Sequence, residues 1–91
     1  MPITVKLPTQ LRAMVGGAST VQATGTTVGE VLDGVYAEHP ELRDRICGDD
    51  GELRRFVNVY VGGEDIRYLD GLATPVGDGG EVQILPAVAG G

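Results

Sequence analysis

A single cysteine in 91 residues leaves no partner for an internal disulfide, and Cys47 with the lone His39 falls short of the four ligands of a structural zinc site. No metal site is therefore expected. Basic side chains are also few: 7 Lys and Arg stand against 13 Asp and Glu, and the net charge of -6 has the wrong sign for neutralising a phosphate backbone. Nucleic acid is excluded as a natural partner. No apolar run approaches the roughly 18 to 20 residues that span a bilayer, and the opening MPITVKLPTQ lacks the basic start and apolar stretch of a secretory signal. The expectation is a cytoplasmic chain with no membrane partner. Also missing are any Ser, His and Asp arrangement and any phosphate-binding P-loop, so no catalytic residue is assigned and the chain is not read as an enzyme.

What is present suits one small domain. Hydrophobic residues make up 42% and charged residues 22%, the balance of a chain that folds, although a chain this short buries only roughly 60 to 70% of its extended surface. A deep, self-contained cleft does not fit in it. Ile3, Val5 and Leu7 alternate with polar residues until Pro8, which predicts a first strand. After a turn at Gly16 and Gly17, Ser19 to Ala23 predicts a second strand and an N-terminal hairpin. Thr27 and Glu30 have capping-box spacing, in which the Glu side chain reaches back to the cap amide. Val28, Val31, Leu32 and Val35 then place one apolar stripe on a helix that Pro40 stops after His39. Leu42 to Cys47 adds a further turn or two, and residues 48–51 form a polar loop.

Phe56 to Val61 is the strongest strand, with Phe56, Asn58 and Tyr60 on one face and Val57, Val59 and Val61 on the other, and a central place is expected for it. Gly62 and Gly63 suit a tight turn, so Ile66 to Leu69 is expected to return as a shorter strand. After the turn at Asp78, Gly79 and Gly80, Glu81 to Leu85 alternates again and Pro86 closes it. The order strand, strand, helix, strand, short strand, strand predicts an α+β, β-grasp fold: a mixed sheet of four to five strands on one main helix. The helix supplies the crossover by which the first and last strands pair in parallel.

Most individual side chains have bland readings. His39 is a helix-end residue whose cation the macrodipole favours, Cys47 a small packed hydrophobe, and Asp49, Asp50, Glu64 and Asp65 solvated loop charges. The C-terminus differs, because only five small residues, Ala87, Val88, Ala89, Gly90 and Gly91, follow Pro86. Residues 1–86 are read as the folded domain and 87–91 as an exposed, flexible tail, able to extend by at most roughly 3.3 to 3.6 Å per residue. Glycine without a Cβ lets a partner's backbone and a nucleotide phosphate come close to the last two carbonyls.

With that element order, Pro86 and the terminal diglycine, the sequence resembles the ubiquitin-like sulfur carrier family, which includes the molybdopterin synthase small subunit and the thiamine carriers. Arg55-Phe56-Val57-Asn58-Val59-Tyr60-Val61, Glu64-Asp65-Ile66-Arg67, Gly71-Leu72-Ala73-Thr74 and Ile84 through Gly91 resemble in particular the actinobacterial carriers of cysteine synthesis. The resemblance implies that an E1-like adenylyltransferase joins the Gly91 carboxylate to AMP from ATP, and that a sulfur donor displaces AMP to leave a thiocarboxylate, with residues 87–90 recognised as the tail. It further implies a sulfur-accepting synthase, either a pyridoxal phosphate enzyme making cysteine from O-phosphoserine or a thiosugar synthase, and a JAMM-type metalloprotease that frees the product. ATP, zinc and pyridoxal phosphate belong to those partners, and the carrier itself is expected to be a monomer with no bound cofactor. The family docks through the sheet face beside the tail, for which Phe56, Asn58, Tyr60, Arg67, Leu72 and Leu85 are the candidates, although alternating apolar residues are equally read as core. Two other readings stay open: a ubiquitin-like modifier attached through Gly91 to target lysines, and an interaction domain in which the diglycine has no role. A single lysine, Lys6, disfavours lysine-linked polymers.

Overall fold

The computed structural model describes residues 2–48, 53, 57–77 and 79–86. Five strands, β1 (Ile3–Lys6), β2 (Thr20–Ala23), β3 (Val57–Val61), β4 (Glu64–Asp65) and β5 (Glu81–Pro86), form one sheet in the order β2-β1-β5-β3-β4. β1 pairs antiparallel with β2 and parallel with β5, while β3 runs antiparallel to both β5 and β4. The parallel pairing of first and last strands is as expected. The middle of the sheet, however, belongs to β5 and not to β3, because β5 alone pairs with both halves.

The helices are α1 (Thr9–Arg12), α2 (Val28–Glu38) and α3 (Pro40–Ile46). Val28, Val31, Leu32 and Val35 of α2 are all buried, as their spacing predicts, and they meet Ile3, Val5, Val57, Val59, Val82 and Ile84 on the inner face of the sheet. Each fully buried aliphatic side chain of this kind contributes about 1.5 to 3 kcal/mol of hydrophobic stabilisation. Leu42 and Ile46 of α3 extend the same core. Pro40 both stops α2 and opens α3, since its missing amide and fixed φ suit the first turn of a helix. His39 is thus the junction of two helices, and α3 starts two residues earlier than the sequence suggested.

Other expectations are corrected. The stretch between Pro8 and Gly16 holds α1 and a 3₁₀ turn, Ala13–Val15, where no helix was predicted; Leu11, Met14 and Val15 pack against the core from one side of it. The returning strand after Gly62 and Gly63, both at positive φ, is Glu64–Asp65, and Ile66–Tyr68 is a 3₁₀ turn. The Asp65 carboxylate ends the strand by accepting from the Arg67 amide at 2.9 Å. Glu64 and Asp65 are therefore edge-strand residues. A further 3₁₀ turn, Gly71–Ala73, also went unpredicted.

The start of α2 is tied to the approach to β5. Thr27 Oγ1 accepts from the Glu30 amide at 3.3 Å as in a capping box, but the Glu30 carboxylate reaches one residue beyond the cap, to the Thr26 amide at 2.8 Å and the Thr26 hydroxyl at 2.9 Å. Backbone bonds Val28 to Thr74 (3.0 Å) and Val76 to Thr26 (2.9 Å) hold this extended entry against residues 74–76. Gly25 lets the entry lie close against the first turn of α2, because a Cβ there would lie 2.8 Å from the Val31 nitrogen.

Candidate carrier terminus and its sheet face

β5 delivers the chain to the tail. Its Val82 and Ile84 point into the core, so Glu81, Gln83 and Leu85 occupy the opposite, open face. Register places Asn58 beside Leu85 and Tyr60 beside Gln83 on one flank, and Lys6 beside Gln83 and Thr4 beside Glu81 on the other. Cross-strand partners share a face, so Asn58, Tyr60 and Leu85 lie together, each half-buried. Lys6 and Glu81, both half-exposed, form an ion pair at 3.5 Å on the same face.

Arg67 joins this group from the 3₁₀ turn. Its Nη1 donates to Asn58 Oδ1 at 3.0 Å and its Nη2 to the Val57 carbonyl at 2.9 Å. Leu72 does not join it: the Leu72 carbonyl lies 3.2 Å from where a Cβ on Gly29 would sit, against the first turn of α2 on the helix side of the sheet. There it lines a cavity of about 260 Å³ with Tyr36, Arg43 and Cys47. Phe56 and the tail residues Ala87, Val88, Ala89, Gly90 and Gly91 lie outside the described residues.

A groove of about 460 Å³ opens beside the end of β5, lined by Lys6, Leu7, Pro8, Arg12, Ser19 and Leu85 among others. It exists because the chain leaves the sheet after Lys6 while β5 continues to Pro86. Arg12 is held at its rim by donating from Nε to the Leu7 carbonyl at 3.1 Å. Sequence reading missed this groove; its signal was Pro8, which ends β1 three residues before its parallel neighbour ends.

Cys47 is buried, as its bland reading required, with Sγ 3.1 Å from the Tyr36 hydroxyl. Burial, and then the contact with Cys47, push the Tyr36 phenol well above its ordinary range, so it is neutral. Among the described residues no group of three or more His, Cys, Asp and Glu side chains is placed to hold a metal ion. No described helix is long and apolar enough to cross a membrane.

A β-grasp body whose middle strand hands its end to a short C-terminal segment defines the ubiquitin-like carrier class. The profile of the ThiS family matches residues 5–91, and the chain belongs to this family of sulfur carriers. It is 46% identical over 93 residues to the sulfur carrier protein CysO of Mycobacterium tuberculosis, covering 100% of both chains. The structure of the Amycolatopsis orientalis BexX/CysO complex contains a chain that superposes with a TM-score of 0.89 at 46% identity, over 98% of this chain and 99% of that one. Small archaeal modifier protein 1 of Haloferax volcanii is 42% identical over 82 residues, 87% of this chain and 90% of that protein.

Proposed function

We propose that this chain carries sulfur on the carboxyl group of Gly91, as a substrate of its partners and not as a catalyst. The observation that carries the reading is the family match, which runs through Gly90 and Gly91 on a body whose last strand ends five residues earlier at Pro86. Residues 1–86 act as the gripping body, and 87–91 as the segment that enters an activating enzyme. A carboxylate is a poor acyl donor because resonance stabilises it and oxide is a poor leaving group. An E1-like adenylyltransferase therefore has the Gly91 oxygen attack the α-phosphorus of ATP, releasing pyrophosphate. Hydrosulfide released by the sulfur donor then attacks the acyl carbon, the bond to AMP breaks and AMP departs with the electron pair, leaving the thiocarboxylate and a proton.

The sulfur passes to an accepting synthase. Likeness to CysO supports cysteine formation from O-phosphoserine on a pyridoxal phosphate enzyme, with release by a JAMM-type metalloprotease; a thiosugar synthase is the other acceptor of matching chemistry. The presence of a CysO chain in complex with BexX supports direct docking of such a carrier on a partner protein. The carrier acts as a cytoplasmic monomer, and ATP is consumed by the partner. Asn58, Tyr60 and Leu85 form the docking face, while Leu72, being on the helix side, contacts a partner only if that partner wraps the edge.

The test is intact-protein mass spectrometry after incubation with the cognate activating enzyme, ATP and a sulfur donor. The expected result is a mass gain equal to replacing one oxygen by sulfur, localised to Gly91 and raised further by one alkyl group on thioacid-specific alkylation. Likeness to the archaeal modifiers favours a second reading, conjugation of Gly91 to target lysines. Adducts that survive reducing denaturation, with no thioacid formed, would establish that reading instead.

A further inference from the structure

We propose that Arg67 is a positioning residue for the reaction at the C-terminus: its guanidinium locks the corner of the sheet from which the tail departs, and so sets the direction in which Gly91 is presented. The inference rests on the carrier reading above.

The corner needs such a lock. β4 pairs only with Tyr60 and Val61, so the far half of β3, Val57 to Val59, has no strand partner on that flank among the described residues. On its other flank Val57 faces Pro86 and Asn58 faces Leu85, the last two residues of β5. On the open flank the Val57 carbonyl has no strand donor among the described residues. Arg67 supplies two: one arm of its planar fork binds the Val57 carbonyl at 2.9 Å, and the other binds the Asn58 side chain at 3.0 Å.

Arg67 is itself held. Its amide donates to Asp65, and its neighbour Ile66 is 1% exposed, pinning the 3₁₀ turn into the core. Support therefore runs from the core through Ile66 and Arg67 to Val57 and Asn58, and across the ladder to Leu85 and Pro86. Both arms of the guanidinium are bound to the chain's own β3. With Leu85 and Pro86 parted from β3, the five residues beyond them start from a less defined point and direction, so fewer conformations put the Gly91 carboxylate in line with ATP.

The experiment follows pyrophosphate release by the cognate activating enzyme as a function of carrier concentration, for wild type, Arg67→Gln, Arg67→Lys and Asn58→Ala. Loss of positioning is expected to lower kcat about tenfold in Arg67→Gln while KM stays within about twofold, since the docked body is intact but the carboxylate is misaimed. Arg67→Lys, which keeps the charge but serves one acceptor, falls between. Asn58→Ala, a half-exposed change that spares the core, lowers kcat in the same direction, any rise in its KM reporting its place on the docking face, and in the double variant with Arg67→Gln it lowers kcat no further, the non-additivity of two groups sharing one bond. Amide exchange at Asn58 and Leu85, read with no enzyme present, is faster in Arg67→Gln. A raised KM with unchanged kcat would make Arg67 a contact of the enzyme and overturn the proposal; so would unchanged exchange at both amides. Failure of the wild-type chain to be adenylated would instead remove the carrier reading itself.

Discussion

At the scale of single residues, the only thiol of the chain is built into the body. Cys47 is buried and its sulfur meets a Tyr36 hydroxyl that stays protonated, so it lacks the exposure of a reactive thiol. Cys47→Ser should therefore form thiocarboxylate at the wild-type rate. Its cost should appear in stability: the serine hydroxyl keeps a bond to Tyr36 but puts a more polar group at a buried position, worth about 1 kcal/mol. Urea denaturation gives the cost, and thiocarboxylate formation gives the rate. A Cys47→Ser chain that folds normally but gains no sulfur would show that the terminal carboxyl group is not the sole sulfur-bearing site.

At the scale of elements, the entry to α2 responds to acid. Hydrogen bonds from the Thr26 amide, and then from the Thr26 hydroxyl, hold the Glu30 carboxyl below its ordinary value. A group depressed on folding adds stability that is fully present above its unfolded value and is lost as pH falls through its folded value. Wild type should accordingly be more stable than Glu30→Gln at neutral pH, with the gap closing as pH drops through and below the usual glutamate range; a gap independent of pH would locate the effect elsewhere. The legible elements were those whose information is local: the apolar stripe of α2, the alternation of β1, β3 and β5, and the glycine turn after Val61. What escaped was decided by tertiary partners. α1 is a single turn that packs only Leu11 against the core, with Met14 and Val15 beyond it, too few positions for a helical period to show. The β4 end was misplaced because an aspartate side chain, not a run of apolar residues, ends the strand.

At the scale of the whole molecule, the proposed carrier terminus is read from composition and position alone, Gly90 and Gly91 at the end of the sequence, while the bracing of the sheet before it cannot be read that way. No spacing rule connects Arg67 to Asn58 or reveals that the chain leaves β1 early to open a groove beside Leu85; both follow from strand order. Leu72 shows the reverse error, a residue assigned to the sheet face that the 3₁₀ turn carries round to α2. The division into body and tail predicts that deleting Gly91 abolishes adenylation while moving the thermal midpoint hardly at all, because the described core extends only to β5. A large fall in that midpoint would mean that the tail belongs to the folded unit.

Strand order also has a mechanical meaning. A partner that draws the tail into a narrow channel pulls along β5, which is flanked by β1 on one side and β3 on the other. Tension in that direction runs parallel to both ladders, so the bonds of two neighbours are loaded together in shear, whereas an edge strand has only one ladder to resist the same pull. The handle can thus be hauled on without unravelling the body behind it.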